Sequence, residues 1–300
     1  MNQGVGAVSQ ILSMLIQFSL GHYYFEIALV MKESMLVSKL LSNSEVWYNI
    51  TKDQYTKLER IDEMYLRRVL NVPISVPKES LHIETGCLPL KFMVKIRRLM
   101  YLWHILSREE TELIRRVYTT QKMSNSGGDW VNILDSDKNE LGISLTDQEI
   151  QGVSKNVFKN YVNSKVRINH LKSLNNRKKT HSKSQNLNCT QLKTAEYLKN
   201  PRFSSKQKRL LFKLRSKTLD VKQNFSGQHR NPWCTSCGLF PETQSHLLQC
   251  PQLVINLQYL SGKTAKLNEN FIYGNMQQQE IIVNIFSDIL EVRENLQQMT

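Results

Sequence analysis

Residues 155–217 hold 18 of the chain's lysines and arginines and one acid, Glu196, a net charge of +17. The whole 300-residue chain has 40 basic and 26 acidic residues, so everything outside this window is slightly acidic. Like charges at this density repel one another. The stretch must therefore stay solvated or lie against a polyanion. Three readings follow: a solvated arm, a nucleic-acid surface whose cations release counterions from phosphates, or a patch for an anionic membrane. A membrane partner is not expected. The apolar-looking stretch 11–41 is interrupted by Gln17, His22, Glu26, Lys32 and Glu33 and offers no clean span of about 20 apolar residues.

The remaining pattern is helical. Only 12 glycines and 7 prolines punctuate the chain, and 40% of its residues are hydrophobic, enough for a core. Tyr55, Leu58, Ile61, Tyr65 and Val69 recur at helical spacing behind Thr51 and Gln54, a capping-box pair. A short helix from Lys78 is expected to stop at Gly86, and Pro89 to open another that carries Leu90, Val94, Leu99, Leu102 and Ile105. Ser107 with Glu110, Thr146 with Glu149, and Ser204 or Ser205 are further expected helix starts. The Thr146 helix is expected to run on into the basic window. Residues 175–188, nearly devoid of apolar side chains, read as a mobile loop, with order returning near Cys189. A last helix is expected over 277–296.

The sharpest chemical signal is Cys234, Cys237, His246 and Cys250, spaced C-x2-C-x8-H-x3-C. Two cysteines with two residues between them fit one tight turn, helped by Gly238. A histidine and a cysteine four apart fit one face of a helix expected to continue through Leu257. Four such ligands suit a closed, structural zinc site, so zinc is the expected cofactor. Cys87 reads as a small core residue. Five cysteines are too few for a disulfide scaffold, and a reducing compartment, nucleus or cytoplasm, is expected.

No catalytic constellation emerges. Asp135 and Asp137 read as helix-end or loop acids, and His22 and His104 as core or boundary residues. There is no phosphate-binding glycine loop, no G-x-S-x-G and no adjacent pair of aspartates.

The blocks GVGAVSQILSML, GHYYFEIALVMKESML, NSEVWYNITKDQYTKLERIDEMYLRRVL and SLHIETGCLPLKFMVKIRRLMYLWHIL, followed by GDWVNIL and the CxxC…HLLxC cluster, together resemble one known region. It is the part downstream of the polymerase core in reverse transcriptases of non-LTR (LINE-type) retrotransposons. The resemblance covers roughly residues 4–251. It implies thumb-like helices that grip a template–primer duplex, with a basic linker and zinc knuckle on RNA or target DNA. The chain lacks the Asp-Asp palm, the endonuclease and the Pro-Asp nuclease signature of such polyproteins, so it reads as a C-terminal remnant without catalytic activity of its own.

The expectation is a mainly α fold: a helical thumb-like bundle (1–145), a basic helix and linker (146–217), a CCHC knuckle (218–262) and a C-terminal helical segment (263–300). The expected partner is element RNA or target DNA, with no small-molecule substrate. The contacts would come from Arg177, Lys178, Lys179, Lys206, Lys208, Arg209, Lys213, Arg215, Lys217 and Trp233, with Phe203 and Phe212 as further aromatics. The alternative is a structural or protein-interaction module whose zinc only staples the fold, including an inert element remnant.

Overall fold

The computed structural model describes residues 2–18, 20–124, 127–179, 184–187, 190–225, 231–255 and 269–298. It is mainly α-helical. Among the described residues no strand forms, and an isolated bridge pairs Trp233 with Pro241.

The helices are α1 (Asn2–Gln17), α2 (Tyr24–Met31, running on through a π-helical stretch Lys32–Val37), α3 (Lys52–Leu70), α4 (Lys78–Thr85), α5 (Leu90–Leu106), α6 (Leu113–Ser124), α7 (Trp130–Leu141), α8 (Asp147–Gln151), α9 (Lys155–Lys178), α10 (Glu196–Lys199), α11 (Ser205–Arg215), α12 (Gln244–Gln249) and α13 (Met276–Gln298). Capping boxes at Thr51/Gln54, Thr146/Glu149 and Ser204/Gln207 start α3, α8 and α11, each satisfying two end groups of the backbone. Gly86 ends α4 with φ +68°. A Cβ there would lie 2.4 Å from the backbone carbon of Lys193, so only glycine lets the 190s segment cross. No described helix is long and apolar enough to cross a membrane.

Several local expectations are corrected. Ser107 closes α5, its hydroxyl donating to the His104 carbonyl, and the next helix waits until Leu113. The Thr146 helix is five residues long. Ser154 caps α9 separately, so the chain turns before entering the basic window. The expected loop 175–188 begins inside α9, and Ser184 and Leu187 are fully buried. Cys189 lies outside the described residues. His22 is exposed rather than a core or boundary residue, whereas His104 is half-buried, as expected of a boundary residue. Asp137 sits inside α7, not at an end or in a loop. It is buried between Arg98 at 2.7 Å and Lys95 at 3.2 Å, while Asp135, two residues earlier and on the opposite side of the helix, faces solvent.

Two large apolar cores result, and they do not follow the expected four-part division. The first joins Val8, Ile11 and Leu15 of α1, Phe25 of α2 and Tyr65 of α3 to Leu211 and Leu214 of α11, Leu247 of α12 and Ile282 and Phe286 of α13. The second gathers Phe92, Leu99 and Leu102 of α5, Leu134 of α7, Ile150 of α8, and Phe158, Val162 and Val166 of α9. The expected boundary at 145/146 therefore falls inside the second core. Helix α9 feeds the second core and its continuation with a winding row of side chains. Its buried residues Phe158, Val162, Val166, His170 and Leu174 step by four, a row that drifts around the helix rather than keeping one face.

Candidate metal centre and basic surface

Residues 232–242 form a small looped hairpin. The Cys234 amide donates to the Phe240 carbonyl (2.7 Å), the Glu242 amide to Pro232 (2.8 Å), and the Gly238 amide to Cys234 (2.8 Å). Gly238 takes φ +67°, a left-handed conformation that costs glycine little. Thr243 caps α12 by accepting from the His246 amide at 2.8 Å, which fixes the start of the helix that carries His246. Cys250 sits at the helix C-cap with ψ 119°, because Pro251 disfavours a helical conformation in the residue before it. The expected continuous helix is thus broken at the fourth ligand, residues 251–255 are helical again, and Leu257 lies outside the described residues.

The four donor atoms lie within 4.8 Å of one another. The Cys234 and Cys250 sulfurs are 3.9 Å apart, and the Cys237 Sγ is 3.4 Å from His246 Nε2. Tetrahedral zinc with its usual bond lengths would put two sulfurs about 3.8 Å apart and a sulfur and a nitrogen about 3.5 Å apart. The donor set and its spacing therefore fit a closed tetrahedral ion site. Burial holds His246 below the ordinary histidine value, so the imidazole is neutral, as a ligand must be. Burial and the neighbouring Cys234 push the Cys250 thiol up to about 12, despite the Leu253 amide that opposes them. Burial also raises Cys237, but the amides of Leu239 and Phe240 outweigh it and hold that thiol below its ordinary value.

Glu242 fixes this loop to the rest of the molecule. Its fully buried carboxylate accepts from the Lys222 amide (3.1 Å), from the amide and hydroxyl of Thr235 (3.2 and 2.9 Å), and from Arg293 of α13 (2.6 Å). Cys234 and Cys250 belong to the first core. Outside, Trp233, Leu239 and Phe240 stand about half-exposed or more, with the Phe240 ring 5.6 Å from that of His246.

The structure divides the basic residues named above. On α11, Lys208 is fully buried and its Nζ donates to the His22 carbonyl at 2.6 Å. Burial holds its ammonium below the ordinary lysine value. Arg209 lies 4.9 Å over the Tyr24 ring and donates to the Val69 carbonyl. Arg215 forms a buried ion pair with Glu84 of α4 through three contacts of 3.0–3.1 Å, and also donates to the Ile272 carbonyl. These three are corrections: an amphipathic helix that packs on two sides turns part of its cationic face inward. Lys206 stays exposed, and Lys213 and Lys217 are half-buried. Phe203 and Phe212 are core residues, so neither can stack on a base. Arg177 is exposed, 3.7 Å from Glu79, and Lys179 is exposed. Lys178 ends α9, with its side chain outside what is described.

The exposed cations sit mainly along α9, a 24-residue helix without an acid. Lys155, Lys159, Arg167 and Lys172 are exposed there, among Asn156, Asn160, Ser164 and Asn175. Sequence reasoning missed this shift from α11 to α9, and it missed Glu84, Glu242 and Arg293. The signal for α9 was present in its lack of acids. Glu84 and Glu242 carried none, because nothing local marks an acid that will be buried against a distant arginine. Comparison of the chain with protein-family models, curated proteins and solved structures gives no match.

Proposed function

We propose that the chain is a non-catalytic nucleic-acid-binding segment that holds phosphates along α9 and carries one structural zinc ion at Cys234, Cys237, His246 and Cys250. The observation that carries this reading is that α9 contains no acid and exposes Lys155, Lys159, Arg167 and Lys172 along its length. Cations set along a 24-residue helix cover about 36 Å, enough to follow a nucleic-acid backbone over several phosphates. The exposed Trp233 and Phe240 on the metal loop supply aromatic faces on which bases can stack. The resemblance to the region after the polymerase core of non-LTR reverse transcriptases agrees with element RNA or target DNA as the partner, in the nucleus or cytoplasm.

The test is binding of a 12-nucleotide single-stranded RNA measured against salt. The log of affinity should fall with the log of salt by roughly 0.7 per contacted phosphate. Changing Lys155, Lys159 and Lys172 together to glutamine should flatten the slope by about two units if all three touch phosphate. An unchanged slope would show these charges to be merely solvated. A second reading, a structural or protein-interaction module, is favoured by the burial of Cys234 and Cys250 in the first core, which makes the metal loop part of the scaffold. It requires no affinity for nucleic acid.

A further inference from the structure

We propose that the turn joining α1 to α2 is a stacking platform on which Phe18 and Tyr23 receive unpaired bases of a single strand. This rests on the nucleic-acid reading above and gives it a base-contacting site. Ile16, Phe18 and Tyr23 are 76%, 64% and 55% exposed, and all three lie where the first two helices meet. The chain has no charged side chain before Glu26. Lone apolar residues on a surface are ordinary. Three large ones at a single uncharged turn, two of them aromatic, form a surface that a flat apolar ligand can cover.

The turn is tied down from behind. Ser205 Oγ at the start of α11 donates to the Gly21 carbonyl and Lys208 Nζ to the His22 carbonyl, both at 2.6 Å. The Arg209 guanidinium lies 4.9 Å from the Tyr24 ring. Within the turn the Tyr23 amide donates to the Leu20 carbonyl at 3.1 Å, and the Tyr23 ring stands 4.1 Å from the His22 imidazole. Aromatic side chains presented by an ordered backbone have little freedom left to lose on binding. The inward-facing Lys208 and Arg209 of α11 thus fix the turn instead of touching phosphate.

The charge beside the turn selects among partners. Lys199, Arg202 and Lys206 are exposed on the segment of α10 and α11 that abuts it, and Glu26 and Glu196 are exposed there too. An anionic bilayer rewards a cluster of unopposed cations, so three cations set against two acids match it poorly. A single strand asks for less charge, because its bases stack on aromatic rings whatever their identity. A duplex keeps its base faces inside its own stack and offers the rings nothing.

The experiment uses the full chain with a 12-nucleotide single-stranded RNA and the corresponding duplex, read by fluorescence anisotropy across salt. Phe18→Ser and Tyr23→Ser should each weaken single-strand binding about fivefold or more, the worth of one stacked base. The salt slope and the affinity for duplex should stay unchanged, because stacking releases no counterions. Strands carrying photoreactive thiouridine should crosslink to Phe18 or Tyr23 of the unaltered protein, a readout that needs no variant to fold. Single-strand affinity unchanged by both substitutions, a loss shared equally by the duplex, or crosslinks confined to other segments would overturn the platform and leave phosphate binding standing. So would substitutions that spare RNA binding but abolish binding to vesicles of phosphatidylcholine and phosphatidylserine, which would give the turn to a membrane. Absence of salt-dependent binding to any strand would overturn the nucleic-acid reading along with the platform.

Discussion

Replacing Arg215 by methionine removes the cation that pairs with Glu84 while keeping much of the apolar stem's volume. Glu84 is 1% exposed and Arg215 9%, so the pair is shielded from most of the solvent. The variant must bury an unpaired carboxylate, and breaking a buried pair by removing one partner typically costs about 3–5 kcal/mol. Urea unfolding of both proteins at pH 7 should therefore show a loss of about 3–5 kcal/mol, with exposed Lys206→Met as a control within about 0.5 kcal/mol. If Arg215→Met left stability intact at pH 7 and instead lowered the salt slope of RNA binding, Arg215 would be a phosphate contact and the buried pair would be refuted.

The purified chain should contain about one zinc per molecule, and Cys237→Ser should lose it; retention at unchanged affinity would sink the assignment. Because Cys234 and Cys250 sit in the core shared by α1, α3, α11 and α13, chelation should lower the thermal midpoint of the whole chain rather than melt only a local loop, as calorimetry would show. Gly86→Ala should destabilise by more than about 2 kcal/mol in denaturant, since φ is +68° and the new methyl meets the backbone of Lys193; a smaller loss would mean that the crossing segment yields easily. Lys32→Met should cost about 3–5 kcal/mol by stranding Asp62, which is 2.8 Å away and equally buried, and Lys32→Met with Asp62→Leu should recover most of it; a double variant no more stable than the single one would argue against the pair.

The sequence by itself determined what depends on residues a few positions apart. Thr51 with Gln54 and Thr146 with Glu149 start helices, as does Ser204, one of the two serines expected to, because a cap is a contact over three residues. Gly86 stops one because its φ is a local need, and the four metal ligands close because their spacing already brings the donors together. Ser107 with Glu110 looked like the same cap but lost to the end of α5, since a local motif competes with its neighbours. Only the tertiary structure decided which cations face water. Lys208, Arg209 and Arg215 read as a basic surface until α11 is packed between the N-terminal helices and α13, with the carboxylate for Arg215 lying 131 residues away. Helical periodicity tells which face is apolar, but it does not tell how much of the charged flank the neighbours will cover. A buried charge must find its partner in space, and that pairing is written in no stretch of sequence short enough to read by period.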